Sequence, residues 1–434
     1  MAKIFPFRGL TYNPGKAGDL SSVMAPPYDV ISPEHQAELY ARSPRNVVRI
    51  DFSRDADPYS TVPERFREWQ DEGTLVPEDA PAIYYLSQEY RLADGVTRER
   101  RGFIALAAIE DFGDGAIHGH EATLAEPRED RLKLMLACDA QFSSILALYN
   151  DEKPTLTDAL REHVRSHKPK VEAELGEFGT SRLWAVTDPG LIGMVREALR
   201  EQAVFIADGH HRYEAAGNYR RRRLAERPGA TGDEGFNRVM MYFANLNEEG
   251  VVILPTHRLV REMPPVGAAE LEEKLRRYFQ VEAFSRDAGG RRRFLETLEQ
   301  PKDGERVLGA AFKDDARYLA LRPGDGAAMA QLAPDMSPEL RGLDVTTLHV
   351  LLMEHVLGVS TRDAVNTDAV AYTHDAEEAL AEAEAGRCQA ALILNPPTAG
   401  EMIAVSLKGE KMPQKSTYFF PKLVTGLVIH KVED

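Results

Sequence analysis

One stretch of this 434-residue sequence crowds several chemically competent side chains around a glycine: Ala207-Asp208-Gly209-His210-His211-Arg212-Tyr213-Glu214. The apolar run Ala203-Val204-Phe205-Ile206-Ala207 leads into it, and the chain then has helix-compatible residues to Glu226, before Arg227-Pro228-Gly229. This order predicts a buried strand, a glycine turn and a helix start. Unpaired backbone N–H groups at such a start, together with the positive end of the helix dipole, form an anion site. Gly209 allows a sharp turn and close approach of a ligand to the backbone. Arg212 supplies a bidentate, always-charged contact for phosphate oxygens. His210 and His211 can donate to phosphate or relay protons. Asp208 can hold a magnesium ion, hold a donor hydroxyl or cap the helix. Successive helical side chains diverge by about 100°, so the four polar residues cannot all face one ligand.

Other clusters offer related chemistry. His118, His120 and Glu121 carry metal-capable atoms, but their spacing matches no zinc signature. His120 and Glu121 with Arg131 read better as a substrate or phosphate clamp. Lys415-Ser416-Thr417 presents an ammonium and two hydroxyls without the glycine framework of a P-loop. Its hydroxyls, expected to be exposed beside aromatics, suit ligand capture or docking of the tail on the first domain. Tyr28 and Asp29 lie in a proline-fixed loop, a rigid mount for a substrate contact. His257-Arg258 follows Leu254-Pro255-Thr256 and resembles Tyr372-Thr373-His374-Asp375 in type. Cys138 reads as core, and no Ser-His-Asp or Cys-His set assembles.

These residues need elements to hold them. Ser32-Pro33-Glu34 opens a helix, with a side-chain cap and proline in the first turn. Asn46–Asp51 reads as a strand, and a helix is expected from about Pro63 to Glu72. Residues 82–109 read as a hairpin turning at Asp94-Gly95. Asp188-Pro189 caps a helix after the strand Leu183–Val186. From about 265 charged helices alternate with shorter strands, Cys388–Leu394 being the clearest buried one. The expected fold class is α/β, an α+β mixed sheet plus a second α/β portion. The expected domains are 1–260 with the phosphate motif, 261–410, and a tail, 411–434, packing back on the first.

Composition narrows the partners. The formal net charge is −16, which argues against a nucleic-acid coat despite the basic runs Arg220–Arg223 and Arg291–Arg293. No apolar run approaches the roughly 20 residues that span a bilayer. The first residues lack a secretory signal, and two cysteines offer no disulfide framework; a cytoplasmic protein is expected.

Five motifs occur in order: Ala25-Pro26-Pro27-Tyr28-Asp29-Val30-Ile31, His120-Glu121-Ala122-Thr123, Ala207–Glu214, Leu254-Pro255-Thr256-His257-Arg258 and Met412-Pro413-Gln414-Lys415-Ser416-Thr417-Tyr418-Phe419. Together they resemble the bacterial and archaeal family called domain of unknown function 1015, over about residues 3–430. Locally, Asp208–Arg212 is similar to the phosphate-binding signature of the ParB/sulfiredoxin-like fold, which includes ParB partition proteins, sulfiredoxin and free-serine kinases. That resemblance implies a nucleotide-binding core with insertions, in which Gly209, His211 and Arg212 contact nucleotide phosphates. Position 210 is His where sulfiredoxin carries its cysteine, so sulfiredoxin activity is not implied.

The resulting expectation is a kinase-like phosphotransferase using ATP or ADP and Mg2+ on a small hydroxylated metabolite such as serine or phosphoserine. Asp208, His210 and Glu121 are its candidate catalytic groups, with Asp208 also the metal ligand. Gly209, His211 and Arg212 would bind phosphate; Tyr28, Asp29, His120, Arg131, His257, Lys415, Ser416 and Thr417 would position substrate. Two alternatives stand beside it. A ParB-type nucleotide-binding regulator requires a helix-turn-helix after the motif. A metal-dependent hydrolase requires zinc on His118, His120 and Glu121.

Overall fold

The computed structural model describes residues 2–111, 115–299, 305–360 and 369–432. It is a mixed α/β fold that divides into two compact units. The first is drawn from Met1–Gly119, Thr123–Val252 and Phe419–Asp434, and the second from His120–Ala122 and Ile253–Tyr418. Among the described residues no helix is long and apolar enough to cross a membrane.

A nine-stranded mixed sheet forms the first unit. Its strands are β1 (Ile4–Phe5), β2 (Ile83–Arg91), β3 (Thr97–Ala108), β4 (Ile117–Gly119), β5 (Ile145–Tyr149), β6 (Val171–Glu174), β7 (Thr180–Val186), β8 (Val204–Asp208) and β9 (Arg238–Asn245). They lie in the order β4-β8-β5-β9-β3-β2-β7-β6, with β1 beside β3. Pairing is parallel for β8 with β4 and for β9 with β5, and antiparallel elsewhere. The β2–β3 hairpin turns through Gly95 at φ +78°, and the Asp94 carboxylate accepts from Val96 N at 2.8 Å.

Side chains alternate across a sheet, and the two faces differ. Tyr85, Phe103, Ala147 and Phe243 line one apolar face. The helix α1 (His210–Glu226) lays Tyr213, Ala215, Ala216 and Tyr219 against that core. Arg212 precedes Ala215, Ala216 and Tyr219 by three, four and seven positions, so the same stripe carries its guanidinium inward. The register puts Gln88, Arg100, Tyr242 and Asp208 on the opposite face, since Gln88 pairs with Arg100, Tyr242 with Leu146, and Asp208 with Leu146.

Two local expectations are overturned. Residues 46–51 form no strand: Val48–Asp51 is a helical turn. Asn46 causes this, because its Oδ1 accepts from Val48 N at 3.0 Å while its Nδ2 donates to the Ser22 and Met24 carbonyls, each at 2.9 Å. An Asx contact of this kind outcompetes a ladder, despite the β-branched residues that follow. The next helix spans Pro58–Asp71, not 63–72, with Pro58 rather than Pro63 in its first turn.

The second unit is built on a six-stranded antiparallel sheet. Its strands are β10 (His257–Val260), β11 (Phe279–Ser285), β12 (Leu308–Phe312), β13 (Arg317–Pro323), β14 (Val370–Thr373) and β15 (Ala390–Ile393), in the order β11-β13-β12-β15-β10-β14. Phe294, Leu298, Tyr318, Leu380 and Ile393 are among its core residues.

Candidate functional site

Strand β8 loses register against β5 between Ile206 and Asp208, which turns the end of the strand. Gly209 follows at φ +96° and opens α1 without a side-chain cap. A β-carbon at Gly209 would lie 3.0 Å from both Nε and Nη2 of Arg212. Only glycine therefore satisfies both the backbone angle and the packing of the guanidinium over the turn.

Asp208 does not cap the helix. Its Oδ2 accepts from Arg212 Nη2 at 2.7 Å, and its Oδ1 is paired with Lys422 Nζ. Arg212 also donates through Nη1 to the Ser144 carbonyl at 2.6 Å, while its Nε is buried without a partner. Arg212 is 9% exposed and Lys422 7%. Burial would raise the Asp208 carboxyl, but the charges of Lys422 and then Arg212 outweigh it and hold the group well below the usual carboxylate range. A carboxylate so stabilised is a poor proton acceptor. The pairing suits Asp208 to holding its two cations rather than to accepting a proton. A divalent ion at Asp208 would meet the two cations already on its oxygens, so the residues there do not fit magnesium.

A second polar group lies in the same unit. Arg131 donates from Nη1 to the Asp51 carbonyl at 2.7 Å and to its Oδ1 at 3.1 Å, and from Nη2 to Asp130 at 2.5 Å. Its guanidinium stacks 4.3 Å from the Tyr28 ring centroid. Burial raises the Tyr28 hydroxyl to about 12 against the opposing charges of Arg212 and Arg131. The Asp51 carboxyl is likewise raised by burial, opposed by the same two arginines in the reverse order. Asp29 is exposed and acts electrostatically on both Tyr28 and Asp51. The structure thus brings Tyr28, Asp29, Arg131, Asp208 and Arg212 into one charged neighbourhood. A cavity of about 30 Å³ beside Asp51, Arg131, Gln141, Ser143 and Arg212 has room for a water molecule or two.

His211 Nε2 accepts from Leu124 N at 2.9 Å and so holds the entry to the helix Ala125–Cys138. Glu214 joins the same contact, accepting from Thr123 Oγ1 at 2.7 Å and Arg128 Nη1 at 2.9 Å. His210 is buried, and its charge also lowers the Asp208 carboxyl.

The remaining expected residues belong to the second unit. His120 Nε2 lies 2.9 Å from Thr417 Oγ1, and the His120 carbonyl accepts from Met412 N at 2.7 Å. Glu121 bridges Met412 in parallel. Lys415 has φ +56°, and Arg258 Nη2 donates to its carbonyl at 3.0 Å. Ser416 is buried and spends its hydroxyl on the Pro413 carbonyl, which corrects the expectation of an exposed ligand-catching group. His257 is 2% exposed, and burial followed by the Arg258 charge lowers its imidazole to about 4.

Among the described residues no three of His, Cys, Asp or Glu gather as a metal-holding group. His118 in the first unit stacks on Phe205 at 5.5 Å between ring centroids. After α1 the chain passes through a short turn, Gly235–Asn237, into β9, not into a second helix of a helix-turn-helix. Part of each basic run is engaged within the fold: Arg220 with Asn237, Arg223 with Asp139 and Glu226, and Arg291 with Glu377 and Glu384.

Sequence reasoning missed Lys422, Arg100 and Asp51. Lys422 lies just past the Met412–Phe419 motif, after Phe420-Pro421, where nothing local marks it as different from a solvated lysine. Asp51 was hidden by the strand reading of its segment. Arg100, in Arg98-Glu99-Arg100-Arg101, looks like any solvated hairpin charge.

No curated protein matches the chain. Among solved structures it is similar to a conserved hypothetical protein from Pyrococcus furiosus, with TM-score 0.32 and 15% identity over 71% of this chain and 89% of that one. It is similar to a free serine kinase in complex with AMP, with TM-score 0.33 and 15% identity over 70% and 83%. It is also similar to SbnI with a C-terminal truncation from Staphylococcus aureus, with TM-score 0.33 and 11% identity over 74% and 85%. The family described as protein of unknown function (DUF1015) matches residues 4–346, and the chain belongs to that family.

Proposed function

We propose that the protein is a nucleotide-dependent phosphotransferase acting on a small hydroxylated metabolite of the serine type. The observation that carries this reading is the charge balance around Asp208. Asp208 is paired with Arg212 and Lys422 and acts on the fully buried Arg100, Asp51 is the second buried carboxylate and is paired with Arg131, and the Arg212 Nε and the Arg100 Nε and Nη1 are still left without a partner. Burying cations beyond the available carboxylates costs several kcal/mol each unless another anion completes the set. The phosphates of ATP or ADP are such an anion, and a glycine turn at an uncapped helix start gives their oxygens access to backbone donors. The resemblance of Asp208–Arg212 to the ParB/sulfiredoxin-like phosphate signature supports the same reading.

In this scheme Arg212, Lys422 and the backbone at Gly209 and His210 grip the transferring phosphoryl group. Tyr28, Asp29 and Arg131 orient the acceptor. The acceptor hydroxyl oxygen attacks phosphorus, the bond from phosphorus to the nucleotide's bridging oxygen breaks, and the hydroxyl proton passes to a carboxylate. Asp51, whose carboxyl burial raises, suits that step better than Asp208. Positioning and charge neutralisation supply most of the barrier reduction in phosphoryl transfer. The test is phosphorus NMR of ATP or ADP incubated with the protein and a panel of amino acids. Nucleotide conversion that needs a hydroxylated acceptor supports the proposal. Absence of both conversion and nucleotide binding at millimolar ligand would sink it.

A further inference from the structure

The segment 419–432 lies in the first unit and brings Lys422 to Asp208. Two buried side chains on this second face of the sheet hold its backbone. Arg100 Nη2 donates to the Pro421 carbonyl at 2.6 Å and to Gln88 Oε1 at 2.6 Å. Gln88 Nε2 donates in turn to the Lys422 carbonyl at 3.1 Å. Both side chains are 0% exposed, and they face each other across the β2–β3 hairpin. The chain on either side is packed as well, since the Phe420 ring meets Tyr90 edge-on at 5.5 Å.

Arg100 is a costly residue for a purely mechanical role. Its hydrogen bonds go to neutral acceptors, and its Nε and Nη1 are buried without partners. Burial lowers its pKa, with Tyr242 opposing and the Asp208 charge among the influences that reach it. A methionine or leucine would fill the same space without the desolvation cost of an ion. The sheet even makes room for the neighbourhood: a β-carbon at Gly102 would come within 2.7 Å of the Tyr242 ring, and Arg100 lies 5.7 Å from that ring's centroid. What the guanidinium does that an apolar residue cannot is grip two oxygens while adding positive charge beneath Asp208 and Lys422.

We infer that Arg100 and Gln88 are positioning residues: they clamp the Pro421–Lys422 backbone and so set the Lys422 ammonium against the anion that the Asp208–Arg212 site receives. This rests on the phosphate-binding reading above and assigns a function to the C-terminal segment within it. Lys422 touches ligand; Gln88 acts only through it, and Arg100 through it and through the positive charge it adds. The consequence is that the segment 419–432 is part of the binding site, and its detachment would disable it with α1 intact.

The experiment is calorimetric titration of ADP into the full-length protein and five variants, each first checked for a cooperative thermal melt. Lys422→Met and Arg100→Met should each weaken ADP binding about tenfold or more, as expected for a lost charge-assisted contact. The double variant should bind no more than about twofold worse than the weaker single, because both changes remove one shared interaction. Arg100→Lys should recover most of the loss caused by Arg100→Met. Gln88→Leu leaves the charge in place and tests the grip alone if Arg100→Met fails to fold. It should weaken binding and speed amide exchange in residues 419–424. Losses that multiply in the double variant, or wild-type affinity in both Arg100→Met and Gln88→Leu, overturn the inference while leaving phosphate binding standing. A wild-type protein that takes up no ADP overturns the parent reading instead.

Discussion

Replacing Asp208 by asparagine keeps the shape of the side chain and removes the one charge set between Arg212 and Lys422. All three side chains are buried, with 10% of Arg212, 8% of Lys422 and 11% of Asp208 exposed. Removing one partner of a buried ion pair costs about 3–5 kcal/mol, since the cation that remains is still desolvated and has lost that carboxylate. Asparagine retains one acceptor oxygen, so the lower end, about 3 kcal/mol, is the expected loss. For a unit of this size that corresponds to roughly 6–12 °C in melting temperature. The sign with pH follows from the depressed Asp208 carboxyl. Its contribution is complete above the unfolded-state value of about 3.9 and is lost as pH falls through the lower folded value, so the penalty is full at neutral pH and shrinks only below about pH 4. Differential scanning calorimetry with and without millimolar phosphate or ADP reads the result. An added anion should raise the melting temperature of Asp208→Asn by more than that of the wild type, because it replaces the missing charge. An Asp208→Asn protein as stable as wild type, or one that phosphate rescues no better than wild type, would refute the charge-balance argument.

Three further outcomes are expected. Gly209→Ala puts a β-carbon against the Arg212 guanidinium at a backbone angle that only glycine tolerates, and should cost about 1–3 kcal/mol and most of the phosphate affinity, read by chemical denaturation and ADP titration. The His257 imidazole, lowered to about 4 in the fold, makes stability complete above the unfolded value near 6.5 and progressively lost as pH falls from there toward 4. That loss amounts to about 3 kcal/mol, and His257→Asn should flatten it in denaturation curves taken across that window. Asp51→Asn should bind ADP with wild-type affinity and lose phosphoryl transfer; weakened binding with unchanged turnover would remove Asp51 from the proton-accepting role.

The parts of this molecule legible in sequence are those governed by local rules. The apolar run 203–207, the glycine and the helix to Glu226 form β8, the turn and α1 as read, and Ser32 and Asp188 cap their helices through 3.2 Å and 2.8 Å contacts. The hairpin at Asp94-Gly95 follows from turn chemistry of the same kind. What stayed hidden depends on long-range pairing. Lys422 meets Asp208 across 214 positions and Arg100 meets Pro421 across 321, separations that no window of sequence reports. Asn46 defeated a strand reading because its side chain bonds to residues more than twenty positions earlier. Within the site, spacing singled out Asp208, Gly209 and Arg212 together, but not the pairing of the Asp208 carboxylate with two cations, one of them from position 422. His211 was read as a phosphate donor, and its contact with the Leu124 backbone comes from a segment 87 positions away.

The most direct test of the central claim is calorimetric titration of ADP into the wild-type protein and into Arg212→Met at low salt. The account predicts saturable binding by the wild type and a loss of about a hundredfold or more in the variant, in keeping with a charged bidentate contact removed from a buried site. Absence of binding to the wild type at millimolar ADP, or equal affinity in Arg212→Met, would contradict it.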